Sequence, residues 1–342
     1  MIDHKTDILL DREDVILKAT IEDFIRSNSP IGSSFLKEQH HYSFSSATIR
    51  STLSSLEEKG FLTHPYVSAG RIPTDLGYRL YVDDLMEPHP HTSLGKNEFI
   101  RDVETIATNM EELMRGTAVM LAKISKLFGV VVLKGYEKST LSDIELVQIG
   151  SDRVMVVLAM KTGLVRSIVL NLKVDIGDRD LNYVNEALRN RLVGLNLKTI
   201  VDSIKSRLRD SDVFDHEIIQ ILLDKSTSVF ATQNDAVVFT SSYSELLHQP
   251  EFQDAQLLQE ILPALESDSL ANDINLMDME EWKAIIGGEN ENERLKNCSL
   301  ISTPFNGNHL SGRLAILGPK RMRYSELKEI LNQFASGIQN VC

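Results

Sequence analysis

Cysteine is almost missing from this sequence. Of 342 residues only Cys298 and Cys342 are thiols, which excludes a disulfide framework and any Cys-rich metal knot and fits a reducing compartment. There is one tryptophan, and aromatics make up 6% of the chain. No apolar run approaches the length of a membrane span, so no membrane partner is expected. The opening MIDHKTDILLD is too acidic and too poor in apolar residues for a signal peptide, which makes a soluble cytoplasmic protein the expectation. Also absent are G-x-x-x-x-G-K-[ST], G-x-G-x-x-G after a strand, H-E-x-x-H and G-x-S-x-G. The expectation is therefore a protein that is not an enzyme and needs no cofactor or metal. The acidic pairs Glu111-Glu112 and Glu280-Glu281 read as solvated helix faces.

A hydrophobic content of 42% and a charged content of 25% describe a globular chain, long enough for two or three cores. The organising stretch is residues 45–72. Its first half reads as a short helix capped by Ser45 or Ser46 and closed by Gly60, with Ile49, Leu53 and Leu56 on one face. The other face is small and hydroxylated (Ala47, Ser51, Ser54), flanked by Thr48 and Arg50. Such a face approaches a DNA groove closely: Arg50 reaches phosphate or guanine, and Ala47 or Thr48 a thymine methyl. The acids Glu57 and Glu58 fall at the far end, which suits entry by the N-terminus. From Phe61 to Ile72, two short apolar runs joined by Pro65, Ser68 and Gly70 read as a wing carrying Arg71. An ordinary helix and hairpin in an unrelated core remains the alternative.

Upstream, residues 11–27 form a helix with Leu17, Ile21, Phe24 and Ile25 inward. Ser33 is expected to cap a second helix burying Phe35 and Leu36, and residues 77–86 form a closing helix. Helix, turn, helix, turn, helix, hairpin is the order of a winged helix-turn-helix module. Charge argues the other way. The net charge is −13, and through residue 86 there are nine Lys and Arg against thirteen Asp and Glu. Non-specific phosphate binding would be weak, so DNA recognition would rely on specific contacts and dimeric avidity.

Residues 87–96 read as a Pro-rich linker, where His89 and His91 fit solvated loop better than metal ligands. Residues 97–128 carry a heptad seam (Val103, Ile106, Met110, Leu113, Thr117, Met120, Ile124, Leu127), either a dimer helix or a helix lying on its own sheet. Val130–Leu133, Ile144–Ile149, Val154–Met160 and Leu164–Val174 read as strands of one antiparallel sheet. Three helices follow over 181–229 as an inserted unit. Further strands are expected near Val237, Trp282, Leu300 and Leu314, with a last helix burying Leu327, Leu331, Phe334 and Ile338. A sheet with helices on one side is α+β, of the kind seen in GAF sensor domains. Gly287-Gly288-Glu289-Asn290 reads as a β-turn or, less simply, as the lining of a ligand pocket.

Pro30-Ile31-Gly32-Ser33, Ser45 to Arg50, Leu56 to Gly60, and above all Ser68-Ala69-Gly70-Arg71-Ile72-Pro73-Thr74-Asp75 with Gly77-Tyr78-Arg79 closely resemble the HrcA family. These are the heat-inducible transcription repressors of bacterial heat-shock chaperone operons. The resemblance continues through Gln249 to Phe252, Ile286 to Asn290 and Leu317 to Tyr324. The family often has Asn where Ser51 stands and His where Tyr66 stands. The resemblance implies a winged helix-turn-helix over 1–86 and a GAF-like α+β domain over 97–177 and 251–342. It also implies a mainly helical inserted dimerisation domain over 178–250. It implies a homodimer on a double-stranded inverted-repeat operator called CIRCE, with activity modulated by heat and a GroE-type chaperonin. The DNA-binding residues would be Ser45, Ser46, Ala47, Thr48, Arg50, Ser51, Ser68 and Arg71. A metabolite-responsive winged-helix regulator, sensing ligand through the GAF-like domain, is the alternative.

Overall fold

The computed structural model describes residues 9–66, 69–86, 110–173, 176–231, 236–265, 270, 274, 281–307 and 311–341. It is an α+β molecule. The expected linker at 87–96, Ser68, and the seam positions Val103 and Ile106 lie outside the described residues.

The chain opens with α1 (Asp11–Ser27), α2 (Ser33–His40) and α3 (Ser46–Glu58). The α1 first turn carries Asp11, Glu13 and Asp14, where the helix dipole favours anions. Ile16, Leu17, Ile21 and Ile25 are buried against α3. Glu13 is buried too, and it knits the unit together. Its carboxylate accepts from the Leu10 N–H at 3.0 Å, Ser55 Oγ at 2.7 Å and Lys59 Nζ at 2.7 Å. Burial pushes this carboxyl up, but those donors outweigh it and bring the pKa down to about 2. Two local expectations fail in α2. Ser33 is the first helical residue and Gly32 holds the cap position without a side-chain bond. Phe35 is 43% exposed, because Leu36 alone takes the core-facing position.

After α3 come β1 (Leu62–Thr63) and β2 (Ile72–Pro73), paired antiparallel with Leu62 opposite Pro73. Arg71 adds a bridge to Ile31, exchanging N–H···O bonds of 2.8 and 2.9 Å, so the hairpin is sewn to the α1–α2 connection. Gly70 is required there, since a Cβ would lie 2.5 Å from the Ile31 carbonyl carbon. Thr74 Oγ1 donates to the Gly60 carbonyl at 2.7 Å and accepts from the Gly77 N–H at 3.1 Å, tying the hairpin to α4 (Asp75–Met86). The helix starts two residues before its expected point.

The second part is built on a five-stranded antiparallel sheet, order β7-β3-β10-β9-β8. Its strands are β3 (Phe128–Lys134), β7 (Ala236–Thr240), β8 (Lys283–Ile286), β9 (Cys298–Asn306) and β10 (Ser311–Pro319). On one face lie α5 (Met110–Ser125) and the last helix, α12 (Tyr324–Val341), over Val131, Leu133, Leu314 and Ile316. The opposite face is not open, contrary to expectation. Phe128, Val130, Val132 and Leu317 pack there with Phe252, Ile261 and Leu265, from residues 250–265 and their helix α11 (Ala255–Ile261). Both faces are therefore apolar, and β3 and β10 lose the alternation of a half-exposed strand.

In its described part the seam helix lies on its own sheet. Leu113, Met114, Thr117, Ala118, Leu121 and Ala122 are the buried positions, so the seam residues Leu113 and Thr117 face the sheet while Met110, Met120 and Ile124 are only half-buried. The contact is close: a Cβ on Gly129 of β3 would sit 2.2 Å from the Ala118 carbonyl.

Between β3 and β7 the chain leaves this sheet and builds a second one. β4 (Leu141–Gly150), β5 (Arg153–Met160) and β6 (Val165–Asn171) form a separate antiparallel sheet, order β4-β5-β6, instead of continuing from β3. Helices α6 (Asp178–Leu192), α7 (Leu197–Leu208), α8 (Glu217–Asp224) and α9 (Ser226–Phe230) follow. Leu181, Val184, Leu188 and Ile200 join Ile144, Val154 and Leu158 in the buried core. The excursion thus contains sheet as well as helix, and strands read as one block divide between two sheets. The fourth helix of the N-terminal set follows the same rule as the others, with Tyr78 and Val82 buried. The short α10 (Ser244–Leu247) follows β7.

Candidate nucleic-acid interface

Helix α3 is positioned by its buried side and capped at its exposed end. Ile49, Leu53 and Leu56 are at most 4% exposed, and Thr52 is buried behind them, its hydroxyl on the Thr48 carbonyl at 3.0 Å. Ser45 is the cap. Its Oγ accepts from the Thr48 N–H at 3.0 Å and lies 2.8 Å from Thr48 Oγ1. Gly60 ends the segment with φ +81°, the left-handed geometry its position asks for.

The side turned away from the core holds the residues singled out from sequence. Ser45, Ala47, Arg50 and Ser51 are exposed, and Ser46 and Thr48 are half-buried. Arg50 has no hydrogen-bond or ion-pair partner among the described residues, so its guanidinium is available to an external acceptor. With no acid in the first turn, nothing there opposes the positive end of the helix dipole.

Arg71 stands differently. Its guanidinium holds Glu57 at 2.6 Å and its side chain is 21% exposed. Glu57, on the last turn of α3, also takes a short bond from His64 Nδ1. Burial pushes the Glu57 carboxyl up, but His64 and Arg71 together hold it below the usual carboxylate range. The result is a clamp from the helix to both arms of the hairpin. From sequence Glu57 counts only as an acid kept away from DNA, and its role in the clamp is missed; the available signal was a histidine at i+7 and an arginine at i+14. Tyr66, 64% exposed at the hairpin turn, stands out from sequence only as a departure from the family pattern, and Lys37, exposed on α2, does not stand out at all.

Among the described residues no group of three His, Cys, Asp or Glu is placed to hold a metal ion, and no helix is long and apolar enough to cross a membrane. Burial pushes the Cys298 thiol up to about 12 against the pull of Lys320, which leaves it protonated and unreactive near neutrality.

The family model described as the HrcA protein C-terminal domain matches residues 111–327. A protein of Ruminiclostridium cellulolyticum named heat-inducible transcription repressor HrcA is 32% identical over 338 residues, covering 97% of each chain. The chain belongs to the HrcA family. A namesake from Halalkalibacterium halodurans is 30% identical over 334 residues, again covering 97% of each. The HrcA model starts beyond α4, so kinship of the α3 unit rests on these full-length relatives. A crystal structure titled only as that of a hypothetical protein matches with a TM-score of 0.66 at 18% identity. It covers 98% of this chain and 100% of that one, which shows a shared fold.

Proposed function

We propose that this chain is a heat-inducible transcription repressor that binds an inverted-repeat operator of the CIRCE type upstream of chaperone genes. The observation that carries the reading is the capped, exposed, hydroxylated face of α3 with an unengaged Arg50, in a chain of this family. Residues 9–86 act as the winged helix-turn-helix, with α3 entering the major groove by its N-terminus and the β1–β2 hairpin as the wing. Ser45, Ser46, Ala47, Thr48, Arg50 and Ser51 face the bases or the backbone. Ser68 and Arg71 serve from the wing, and Lys37 serves at phosphate. The five-stranded sheet with its helices is the GAF-like body, made from 110–134 and 236–341. Residues 135–231 are the inserted dimerisation unit, which shifts the boundaries read from sequence (178–250) to take in β4–β6.

Support for that last assignment comes from the outer face of the small sheet. Ile149, Val165 and Val169 are 42 to 51% exposed, and Met155 and Val157 between them are half-buried. No described element covers this apolar stripe, and a second copy of the chain would. Two copies place two recognition helices on one face of a palindrome. The protein works in the cytoplasm, where its folded fraction is the switch. A shift of about 1.4 kcal/mol changes the folded ratio tenfold, so heat and the supply of a GroE-type chaperonin set the amount of active repressor.

Footprinting purified protein on inverted-repeat DNA tests the core of the reading, with protection of both half-sites expected. Titrating chaperonin into the same assay should raise the active fraction, most strongly near the unfolding temperature. No effect at any temperature would remove the chaperonin step and leave the DNA role standing.

A further inference from the structure

Stretches far apart in the sequence meet the N-terminal unit at one joint. Asp75, first residue of α4, accepts from Lys320 Nζ at 2.6 Å and from the Gly288 N–H at 2.9 Å. One turn on, Arg79 donates from Nε to Glu289 Oε1 at 2.7 Å and from Nη2 to the Ala284 carbonyl at 2.7 Å. The end of α1 is held separately, where Arg321 donates to the Ile25 carbonyl at 3.0 Å and grips Glu251 with its other edge at 2.7 and 3.2 Å. At the far end of α4, Lys328 donates to the Leu85 carbonyl while lying 5.2 Å from the Trp282 ring centre. Tyr78 and Tyr324, both buried, bring their rings to 6.0 Å in between. The fit leaves no slack: Gly287 has φ +54°, and a Cβ there would lie 2.1 Å from Asp75 Oδ2.

We propose that this joint is a rigid mount that fixes where α3 points relative to the rest of the molecule, and so fixes the half-site spacing the dimer accepts on DNA. Asp75, Arg79, Glu289 and Arg321 are its positioning residues. The proposal rests on the dimeric DNA-binding reading above and deepens it. Grips at both ends of α4 and at the end of α1 do not lie on one line, so they stop rotation as well as translation. Several are charge-assisted, two-pronged and partly shielded from solvent, where salt screens them least. Adding one base pair between half-sites moves one of them by about 3.4 Å and turns it by about 35°. A loose joint would absorb that displacement, and a rigid one would lose contacts.

The test uses the full chain and palindromes whose spacers differ in single base-pair steps, with Kd measured for each. Gly287→Ala forces the Asp75 carboxylate away, and Glu289→Gln keeps shape while weakening the Arg79 grip; neither touches the α3 face. Wild type should lose about tenfold in affinity per base pair away from its best spacer, and both variants should spread their affinities within about threefold. Wild type that binds all spacers alike, or variants that keep the wild-type preference while weakening equally everywhere, would overturn the mount. Wild type that binds no palindrome at all would instead overturn the DNA reading, and the mount with it. Should Gly287→Ala fail to fold, the Glu289→Gln result decides.

Discussion

The polar side chains described between residues 9 and 85 fall into two populations, those left exposed without a partner and those spent on internal order. Arg50 belongs to the first. Arg50→Ala should weaken operator binding by about 1–3 kcal/mol if it reads a guanine, relaxing preference at that base pair, as fluorescence anisotropy on operator variants would report. A uniform loss across sequences would reassign it to phosphate, and no loss would remove it from the site. Arg71 straddles both populations, because Arg71→Ala also leaves Glu57 with His64 alone. Glu13 is wholly internal. Its carboxyl sits at about 2 in the folded chain against an ordinary 4.5, so its contribution is complete above pH 4.5 and fades as the pH falls towards 2. Glu13→Gln should therefore cost about 1.5–3 kcal/mol of unfolding free energy at pH 7, with the difference from wild type shrinking steadily below pH 4.5 in urea melts. A difference that held constant down to pH 2 would contradict the role given to its charge.

At the scale of elements, the α3–hairpin–α4 run shows why some motifs are legible and others are not. The helix was legible because its signals are local: a serine cap, an i, i+4, i+7 core stripe and a glycine that must turn left-handed. The run from Gly70 to Gly77 could be seen as distinctive but not explained, since its reasons lie elsewhere in the chain. Gly70 makes room for Ile31, Gly77 for the Phe61 carbonyl at 2.2 Å from a would-be Cβ, and Thr74 binds Gly60. Gly70→Ala should accordingly cost about 1–3 kcal/mol by crowding a backbone that cannot yield. Its thermal melt should show the loss in the N-terminal unit, and a melt unchanged from wild type would mean the hairpin is not sewn to Ile31. The cap assigned to Ser33 failed for a related reason. The backbone at Gly32 already supplies the extended conformation a cap needs, so Ser33 enters the helix instead.

Across the whole molecule, the division of strands is the consequential surprise. β3 and β4 follow each other closely in sequence yet belong to different sheets, because β3 pairs with β7 about a hundred residues later. That leaves β4–β6 to build a sheet whose outer face is largely apolar, interrupted by Glu145 and Ser167, and uncovered among the described residues. Val169→Glu, at a position already half exposed, should leave the protomer folded and raise the dimer dissociation constant at least about tenfold by burying an unpaired charge. Sedimentation equilibrium reads this directly, and an unchanged mass distribution would place the dimer contact elsewhere.

What the sequence determined by itself was whatever depends on neighbours within a turn or two. This covers the cap and stripe of α3, the amphipathic faces of α1 and α12, and the position of most strands. It also covers the small, polar outer side of α3, where Ser45, Ala47, Arg50 and Ser51 are exposed. Only the tertiary structure decided which strands share a sheet, that both faces of the larger sheet are covered, and that Arg71 is held by Glu57. It also decided that Asp75, Arg79, Gly287, Glu289 and Arg321 meet at one joint. The reason is physical. Periodicity and capping are short-range and leave a mark in the order of residues, whereas strand partnership and ion pairing between residues more than two hundred positions apart are settled by which surfaces close on one another during folding.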